Sequence, residues 1–219
     1  PESLQVKAGQ LHMPPLDLHL SGSLARQGQR PFNLEMELAP LDLEQCRPQV
    51  PFLEKLRAEG RIDLRYSLSG RDGKLEKHQG VAGLQRVGVH LTPVIADLRE
   101  ANGEILLYPN RAESRNLNLK LGGSPLVVDA KVADFRQPAV EIEVKGDSIR
   151  ADDIIFPNDH AFLRRLNGHL RIDGKGILFD PVRVRLDGGT EATVRGTVTF
   201  ADPEVRLDID APYGNIDEV

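Results

Sequence analysis

The chain contains one cysteine, no tryptophan and few aromatic residues, which amount to 5% of the sequence. A single cysteine, Cys46, excludes an internal disulfide, and we expect it to pack as a small hydrophobe. The longest apolar runs, such as 126–128 and 177–179, are far shorter than the ~18 residues of a membrane-spanning helix. The sequence therefore predicts neither a disulfide scaffold nor a helical membrane span.

Clustered charge and catalytic or metal-binding motifs are also lacking. The 28 Lys and Arg residues are interleaved with 33 Asp and Glu residues at a net charge of −5, which argues against nucleic-acid binding. None of the six histidines stands at a metal-ligand spacing with other ligands, so we expect all six at turns or on the charged surface, and no metal or cofactor. Glu141 and Glu143 share one solvated strand face, and Asp152-Asp153 is typical of a strand end, so neither pair is a candidate for acid–base catalysis. Strands follow the double glycines, whereas a phosphate-binding loop needs a following helix. We expect no enzymatic activity.

Most of the chain alternates apolar and charged residues. In 32–38, for example, Phe32, Leu34, Met36 and Leu38 alternate with polar side chains. Since side chains on a strand point to opposite faces with a period of two, each such segment is a strand with one apolar and one charged face. The alternating segments are 16–20, 32–38, 62–68, 87–91, 117–121, 126–132, 140–144, 182–186, 192–198 and 205–209.

The arrangement of these strands follows from the alternation. Buried parallel strands would be continuously apolar, so we predict an antiparallel sheet with one solvated face. Gly, Pro, Asn and Asp residues separate the strands, as turns require. Segments 52–59, 93–101 and 160–166 each run into a glycine and are predicted to form short helical turns.

The second half of the chain contains an internal repeat. Asn102-Gly103 and Asn167-Gly168 lie 65 residues apart, and 98–154 matches 163–219 in this register without a gap. Looser copies precede them. We therefore interpret 1–219 as one continuous repetitive β module with units at about 1–49, 53–91, 98–154 and 163–219, extended because each unit contacts mainly its neighbours.

The apolar face must be covered by something. We predict an extended, curved antiparallel sheet, a β-groove or half-barrel, whose face is open to a ligand; the alternative is a closed β-sandwich or barrel. Half a bilayer's hydrocarbon core is about 15 Å, so a groove about one strand wide could hold an acyl chain. The predicted lining is Leu18, Leu34, Leu64, Val89, Leu117, Leu119, Leu121, Val128, Val140, Ile142, Val144, Val182, Val184, Leu186, Val194, Val205, Leu207 and Ile209.

The repeated unit resembles the AsmA-like family of bacterial envelope proteins, the group that includes TamB and YhdP. The resemblance begins with the leucine-containing turn into Asn167-Gly168. It continues through five segments: 170–173, 177–179, 181–189, 194–198 and 202–209. The same pattern runs through 117–144. We expect this chain to be an internal fragment that lacks the family's N-terminal anchor.

The resemblance implies a function that composition does not. Such proteins are long β-grooves, anchored in the inner membrane and projecting into the periplasm, that support phospholipid transport and outer-membrane integrity. For this chain we therefore expect a non-enzymatic lipid-binding or lipid-transfer module with phospholipid acyl chains as partners and periplasmic localisation. The alternative is a structural or protein-interaction β-sandwich repeat with no lipid ligand.

Overall fold

A computed structural model describes residues 3–25, 30–90, 97–136, 139–153, 162–199 and 204–213. These residues form one sheet of thirteen strands, in which each strand pairs antiparallel with its neighbours in the sequence. The strands are β1 Ser3–Met13, β2 Leu16–Ala25, β3 Pro31–Asp42, β4 Glu59–Arg71, β5 Lys74–Val89, β6 Leu98–Leu107, β7 Ala112–Leu121, β8 Ser124–Val132, β9 Val140–Arg150, β10 Phe162–Ile172, β11 Gly176–Leu186, β12 Glu191–Thr199 and β13 Val205–Tyr213.

The helical elements are short. Helices α1 (Leu43–Cys46) and α2 (Pro51–Lys55) and a 3-10 turn at Arg47–Gln49 connect β3 to β4. A second 3-10 turn, Ala151–Asp153, follows β9. Helix α1 begins at Asp42, whose Oδ1 accepts a hydrogen bond from the backbone N–H of Glu44 at 3.0 Å.

The register aligns the apolar side chains of all strands on one face. One row of directly opposed residues crosses the whole sheet and contains a single polar side chain, Ser114. At about 4.8 Å between strands, this row is about 58 Å long. Its members, from β1 to β13, are Leu11, Leu18, Leu38, Leu64, Ala82, Ile105, Ser114, Ala130, Ile142, Leu170, Phe179, Gly196 and Leu207.

The sheet is open and curved, with β1 and β13 at its two edges. The chain exposes 14816 Å², whereas a compact monomer of its mass exposes about 10,000 Å². The predicted extended, curved antiparallel sheet is therefore confirmed. The closed sandwich or barrel is wrong, because the thirteen strands never return to pair with the first one or to form a second sheet.

Bulges with a left-handed residue keep the apolar side chains on one face. Arg86, Glu100, Asn116 and Arg165 have φ angles between 50° and 52°, and each lies where the strand register shifts. An inserted residue would otherwise turn the rest of the strand over, because side chains alternate. Leu84 and Val87, on either side of Arg86, oppose Gly103 and Ala101 respectively.

Of the three predicted helical turns, only the first contains a helix. Segment 52–59 overlaps α2. Residues 98–101 and 162–166 instead belong to β6 and β10, so the predicted helical turns are wrong there; 93–96 and 160–161 lie outside the described residues. The physical reason is that Leu98 and Leu163 pair across to the neighbouring strands, while the positive φ of the bulge residues is incompatible with a right-handed helix.

The strand ends define two long borders of the sheet. We call one the packed border; its connections are 14–15, 43–58, 90–97, 122–123, 151–161 and 187–190. The other, the open border, has the connections 26–30, 72–73, 108–111, 133–139, 173–175 and 200–204. Most of the buried apolar residues lie toward the packed border, whereas several of the exposed large ones lie toward the open border.

A polar network closes the packed border near the β7–β8 turn. The Ser124 hydroxyl, on a residue that is 3% exposed, donates to Asp153 Oδ2 at 2.6 Å and accepts from the Arg150 backbone N–H at 2.9 Å. Asp153 also accepts from the N–H of Gly123 at 3.2 Å. The 3-10 turn is thereby tied to a turn about thirty residues earlier.

Candidate functional site: the apolar face

All eighteen predicted lining residues fall on the face defined by the central row. Leu18, Leu64, Ile142 and Leu207 belong to the row itself. A parallel row nearer the packed border brings together six others, and the rest flank these two rows. The six are Leu117, Val128, Val144, Val182, Val194 and Ile209, with Gly168 between Val144 and Val182.

Part of this face is packed. Ala101, Leu119, Leu126, Val144 and Ile149 form a buried cluster, with Ile149 only 1% exposed. Side chains from β5 to β10 that border the cluster are half-buried against it, among them the predicted residues Leu121, Val128 and Ile142. Leu117, Leu119 and Val144 are therefore core residues of the folded sheet as well as members of the apolar face.

The remainder of the face is open to solvent. Val205 and Ile209 on the edge strand β13 are 62% and 61% exposed, and Leu34 on β3 is 36% exposed. Leu11 and Leu24, which the sequence did not single out as lining residues, are also exposed on the same face. No described residue outside the sheet covers these side chains.

Glycines on the apolar face make room for large neighbours. A Cβ atom on Gly80 would stand 2.2 Å from the Tyr66 ring, and one on Gly103 would stand 2.6 Å from Cδ2 of Leu117. The bulky side chain of one strand therefore lies over the glycine of the next. The large side chain thus occupies the space that the missing side chain of the glycine leaves.

Two polar features interrupt the apolar face. Ser114 is buried, and its hydroxyl accepts from the backbone N–H of Ala130 at 3.1 Å. The other is a pair: the Tyr66 hydroxyl and Nδ1 of His78 are 2.5 Å apart and partly buried. Tyr66 opposes Gly80, and His78 opposes Leu68, so both side chains share the face with the apolar rows.

The histidine of this pair was missed from the sequence. We expected all six histidines at turns or on the charged surface, and for His78 that prediction is wrong. In β5 the alternation is weak, because Leu75 and Val81 are the only large apolar side chains between Lys74 and Leu84. Alternation continued from Ala82 and Gly80 places His78 on the apolar face, and the register shift between Ser69 and Gly70, nearer the turn, brings Leu75 to the same face. Tyr66, in contrast, was correctly placed among the apolar positions of 62–68.

The opposite face is charged, and opposite signs alternate across its strands. Glu113, Lys131, Glu141 and Arg171 stand directly opposite one another in sequence from β7 to β10. Such cross-strand pairs stabilise a sheet by roughly 0.2–1 kcal/mol each. Glu141 and Glu143 lie on this solvated face as predicted from the alternation.

A shallow depression of about 670 Å³ lies on the charged face across β1 to β6. Its side chains include both signs of charge, Glu37 and Arg65 among them, next to the apolar Val81 and Leu106. Four further depressions among the described residues are likewise bordered by charged side chains.

Charged groups at the packed border are paired. Nδ1 of His90 lies 2.6 Å from Oδ1 of Asp97, and the Arg99 guanidinium lies 3.3 Å from the other carboxylate oxygen. The hydrogen bond from His90, followed by the one from Arg99, holds the pKa of Asp97 below its usual range. At the same border Cys46 is buried, as expected from the sequence; burial and then the negative charge of Asp42 raise the pKa of its thiol.

No described part of the chain forms a cluster of three or more His, Cys, Asp or Glu side chains able to hold a metal ion. In the same ranges, no helix has the length and apolarity needed to cross a membrane. Comparisons with protein-family models, with curated proteins and with solved structures found no match.

Proposed function

We propose that this chain is a non-enzymatic lipid-binding module whose open apolar face takes the acyl chains of phospholipids. The observation that carries the proposal is the single apolar face, which runs across all thirteen strands and stays exposed on β1, β3 and β13. Contiguous apolar surface beyond a few hundred Å² is typical of interaction or ligand-binding sites in soluble proteins.

The shape and chemistry of the face suit an acyl chain. Burying apolar surface yields roughly 25 cal/mol per Å², so a chain that covers exposed Leu, Val and Ile side chains binds without any specific polar contact. A strand segment of five residues spans about 16 Å, close to the ~15 Å of one leaflet's hydrocarbon. The apolar rows, about 58 Å long in total, offer several such positions side by side.

The cellular setting is proposed from the resemblance to the AsmA-like family. In that setting the chain is a periplasmic part of an inner-membrane-anchored protein that supports phospholipid transport to the outer membrane and envelope integrity. The open sheet supports this proposal because it leaves the predicted lining partly accessible. The closed sandwich of the alternative is not the fold of the described residues, and a structural or protein-interaction role without lipid stays the competing proposal.

The test is native mass spectrometry of the purified chain. We expect adducts with the masses of phospholipids that survive gentle desolvation and disappear after delipidation. A chain that carries no lipid and also takes up none from phosphatidylglycerol–phosphatidylethanolamine vesicles contradicts the proposal. In that case a protein partner is left as the occupant of the face.

A matched pair of variants locates the lipid. Leu34 on the apolar face and Leu178 on the charged face are 36% and 41% exposed, and both lie in strands. We expect Leu34→Glu to reduce lipid adducts severalfold, because a carboxylate next to an acyl chain must be desolvated, while Leu178→Glu leaves them unchanged. Equal losses in both variants would place the lipid elsewhere.

A further inference from the structure

We infer that the Tyr66–His78 pair is a polar anchor for the head group of the bound amphiphile, and that it selects an anionic head carried on an acyl chain. The inference rests on the proposed function and deepens it, because it gives the lipid a position and an orientation on the face. The shared chemistry of the expected ligands is a phosphate or carboxylate group attached to a long alkyl chain.

The position of the pair at the open border supports this role. Strand β6 ends at Leu107, opposite Gly80, so β5 from Lys74 to Gln79 pairs only with β4. His78 therefore has no cross-strand neighbour on its β6 side and is only half-buried. A head group at this point contacts both the pair and solvent, as an ionised group requires.

The hydrogen bond within the pair leaves a donor for a ligand. When the Tyr66 hydroxyl donates to Nδ1 of His78, the hydrogen of the neutral ring is on Nε2, which can then donate to a ligand. An anionic oxygen accepts such a bond more strongly than a neutral one does. Among the side chains of the apolar rows, the other buried hydroxyl, that of Ser114, is already bonded to the backbone.

Basic side chains stand on the same hairpin. Lys74 and Lys77 lie within four residues of His78, and both are exposed. Arg71 pairs with Glu76 at 3.8 Å at the same border. The register places Lys77, Lys74 and Arg71 on the charged face, opposite to His78, and Asp72 and Glu76 share the hairpin with them. The anionic preference is therefore assigned to the Nε2 donor of His78 and not to the charge of the hairpin.

The apolar surface next to the pair fits the chain of the same ligand. Leu34, Leu68 and His78 are direct cross-strand neighbours, so the head group would lie beside leucine side chains. Toward the packed border, Leu64 and Ile62 follow Tyr66 on β4, and Ile62 is about 13 Å away along the strand. An acyl chain of ~15 Å that starts at the pair would thus end near the packed side chains of the sheet.

The experiment compares three ligands with the same 16-carbon chain: hexadecanoate, hexadecyl phosphate and hexadecanol. Binding to the full chain is measured by displacement of an environment-sensitive hydrophobic dye. We expect wild type to bind at least one of the two anionic ligands about tenfold more tightly than hexadecanol, the gain of one charge-assisted hydrogen bond. Preference for the phosphate indicates a phospholipid, and preference for the carboxylate indicates a free fatty acid.

Variants separate the anchor from the apolar face. The double variant Tyr66→Phe, His78→Leu is expected to bind hexadecanol as wild type does while losing the anionic preference. Tyr66→Phe alone keeps the ring over Gly80, so it serves as the variant in which folding is least disturbed. The control is His169→Leu, a half-buried histidine on the charged face, which should change nothing.

Three results would overturn the inference. One is equal binding of all three ligands by wild type, and another is an anionic preference that survives in the double variant. A preference that His169→Leu also abolishes would show that the effect is not specific to the pair. If none of the three ligands binds to wild type, the proposed function itself fails, and this outcome is distinct from the others.

Discussion

The two long borders of the sheet are built from the same alternating strands but differ in how deeply they bury their apolar side chains. Toward the packed border lie Ile149, Ala151, Leu126 and Ala101, all less than a tenth exposed. Toward the open border lie Leu24, Leu34, Leu75 and Val205, all more than a third exposed. Between the edge strands, one face of the sheet therefore serves as a core at one side and as an accessible surface at the other, whereas on β1 and β13 Leu11 and Ile209 are exposed toward the packed border as well.

The difference originates in the connections and not in the strands. At the packed border the connections include α1, α2 and the 3-10 turn after β9, which bring Leu43, Cys46 and Ala151 into buried positions. At the open border several connections are short, such as 72–73 between β4 and β5. The alternation specifies which face is apolar, and the connections decide where that face is covered.

The largest expected effect is the difference in unfolding free energy between a variant at the packed border and one at the open border. Ile149→Ala should lower the free energy of unfolding by about 2–5 kcal/mol, because it removes a buried side chain and leaves a cavity. Leu34→Ala should cost less than about 1 kcal/mol, since the leucine is already partly solvated. Urea titration followed by circular dichroism measures both. Similar losses for the two variants would show that the borders are equally packed.

A smaller effect tests the polar network of the packed border. Ser124→Ala leaves the Arg150 N–H and the Asp153 carboxylate without their shared hydroxyl, which should cost about 1–3 kcal/mol. Ser67→Ala is the control, because that exposed hydroxyl makes only a long bond of 3.4 Å to the Gln79 carbonyl. The same titration applies. If Ser67→Ala costs as much as Ser124→Ala, the network contributes nothing beyond an ordinary strand serine.

The smallest effect depends on pH. The pKa of Asp97 is lowered, first by its hydrogen bond to His90, so the paired carboxylate stabilises the fold above the usual aspartate pKa of about 3.9. This stabilisation is lost as the pH falls through the lowered value. Asp97→Asn should therefore show a smaller drop in unfolding free energy between pH 6 and pH 3 than wild type. An unchanged drop would mean that the pair contributes nothing to stability.

The strands and the apolar face could be predicted from the sequence because both follow from a period of two. The ten alternating segments lie in strands over their described residues, except for His90, which follows the end of β5, and all eighteen predicted lining residues share one face. The open sheet was predicted only as the preferred alternative to a closed sandwich or barrel, because the apolar–polar alternation is the same in both folds. The family resemblance, the unit boundaries and the lipid-binding role of the lining residues stay predictions.

What could not be predicted depends on local shifts of register. The bulges at Glu100 and Arg165 lie in segments that resemble helical turns when only leucine spacing and a following glycine are considered. Strand β1 has a register shift between Val6 and Gly9, which hides its alternation. In the β4–β5 hairpin, the shift between Ser69 and Gly70 puts Leu75 on the same face as His78, so spacing from Leu75 assigns His78 to the wrong face. A one-residue shift reverses the face, and the sequence contains no unambiguous signal for it.

The most direct test of the open, lipid-binding face uses the absence of tryptophan from the chain. Leu34→Trp and Leu178→Trp each introduce one fluorophore, on the apolar and the charged face respectively, at sites of similar exposure. Each variant is titrated with a phospholipid whose acyl chains are brominated and quench nearby tryptophan. We expect strong quenching in Leu34→Trp and little in Leu178→Trp. Equal quenching in both variants, or none in either, would contradict an acyl chain on the apolar face.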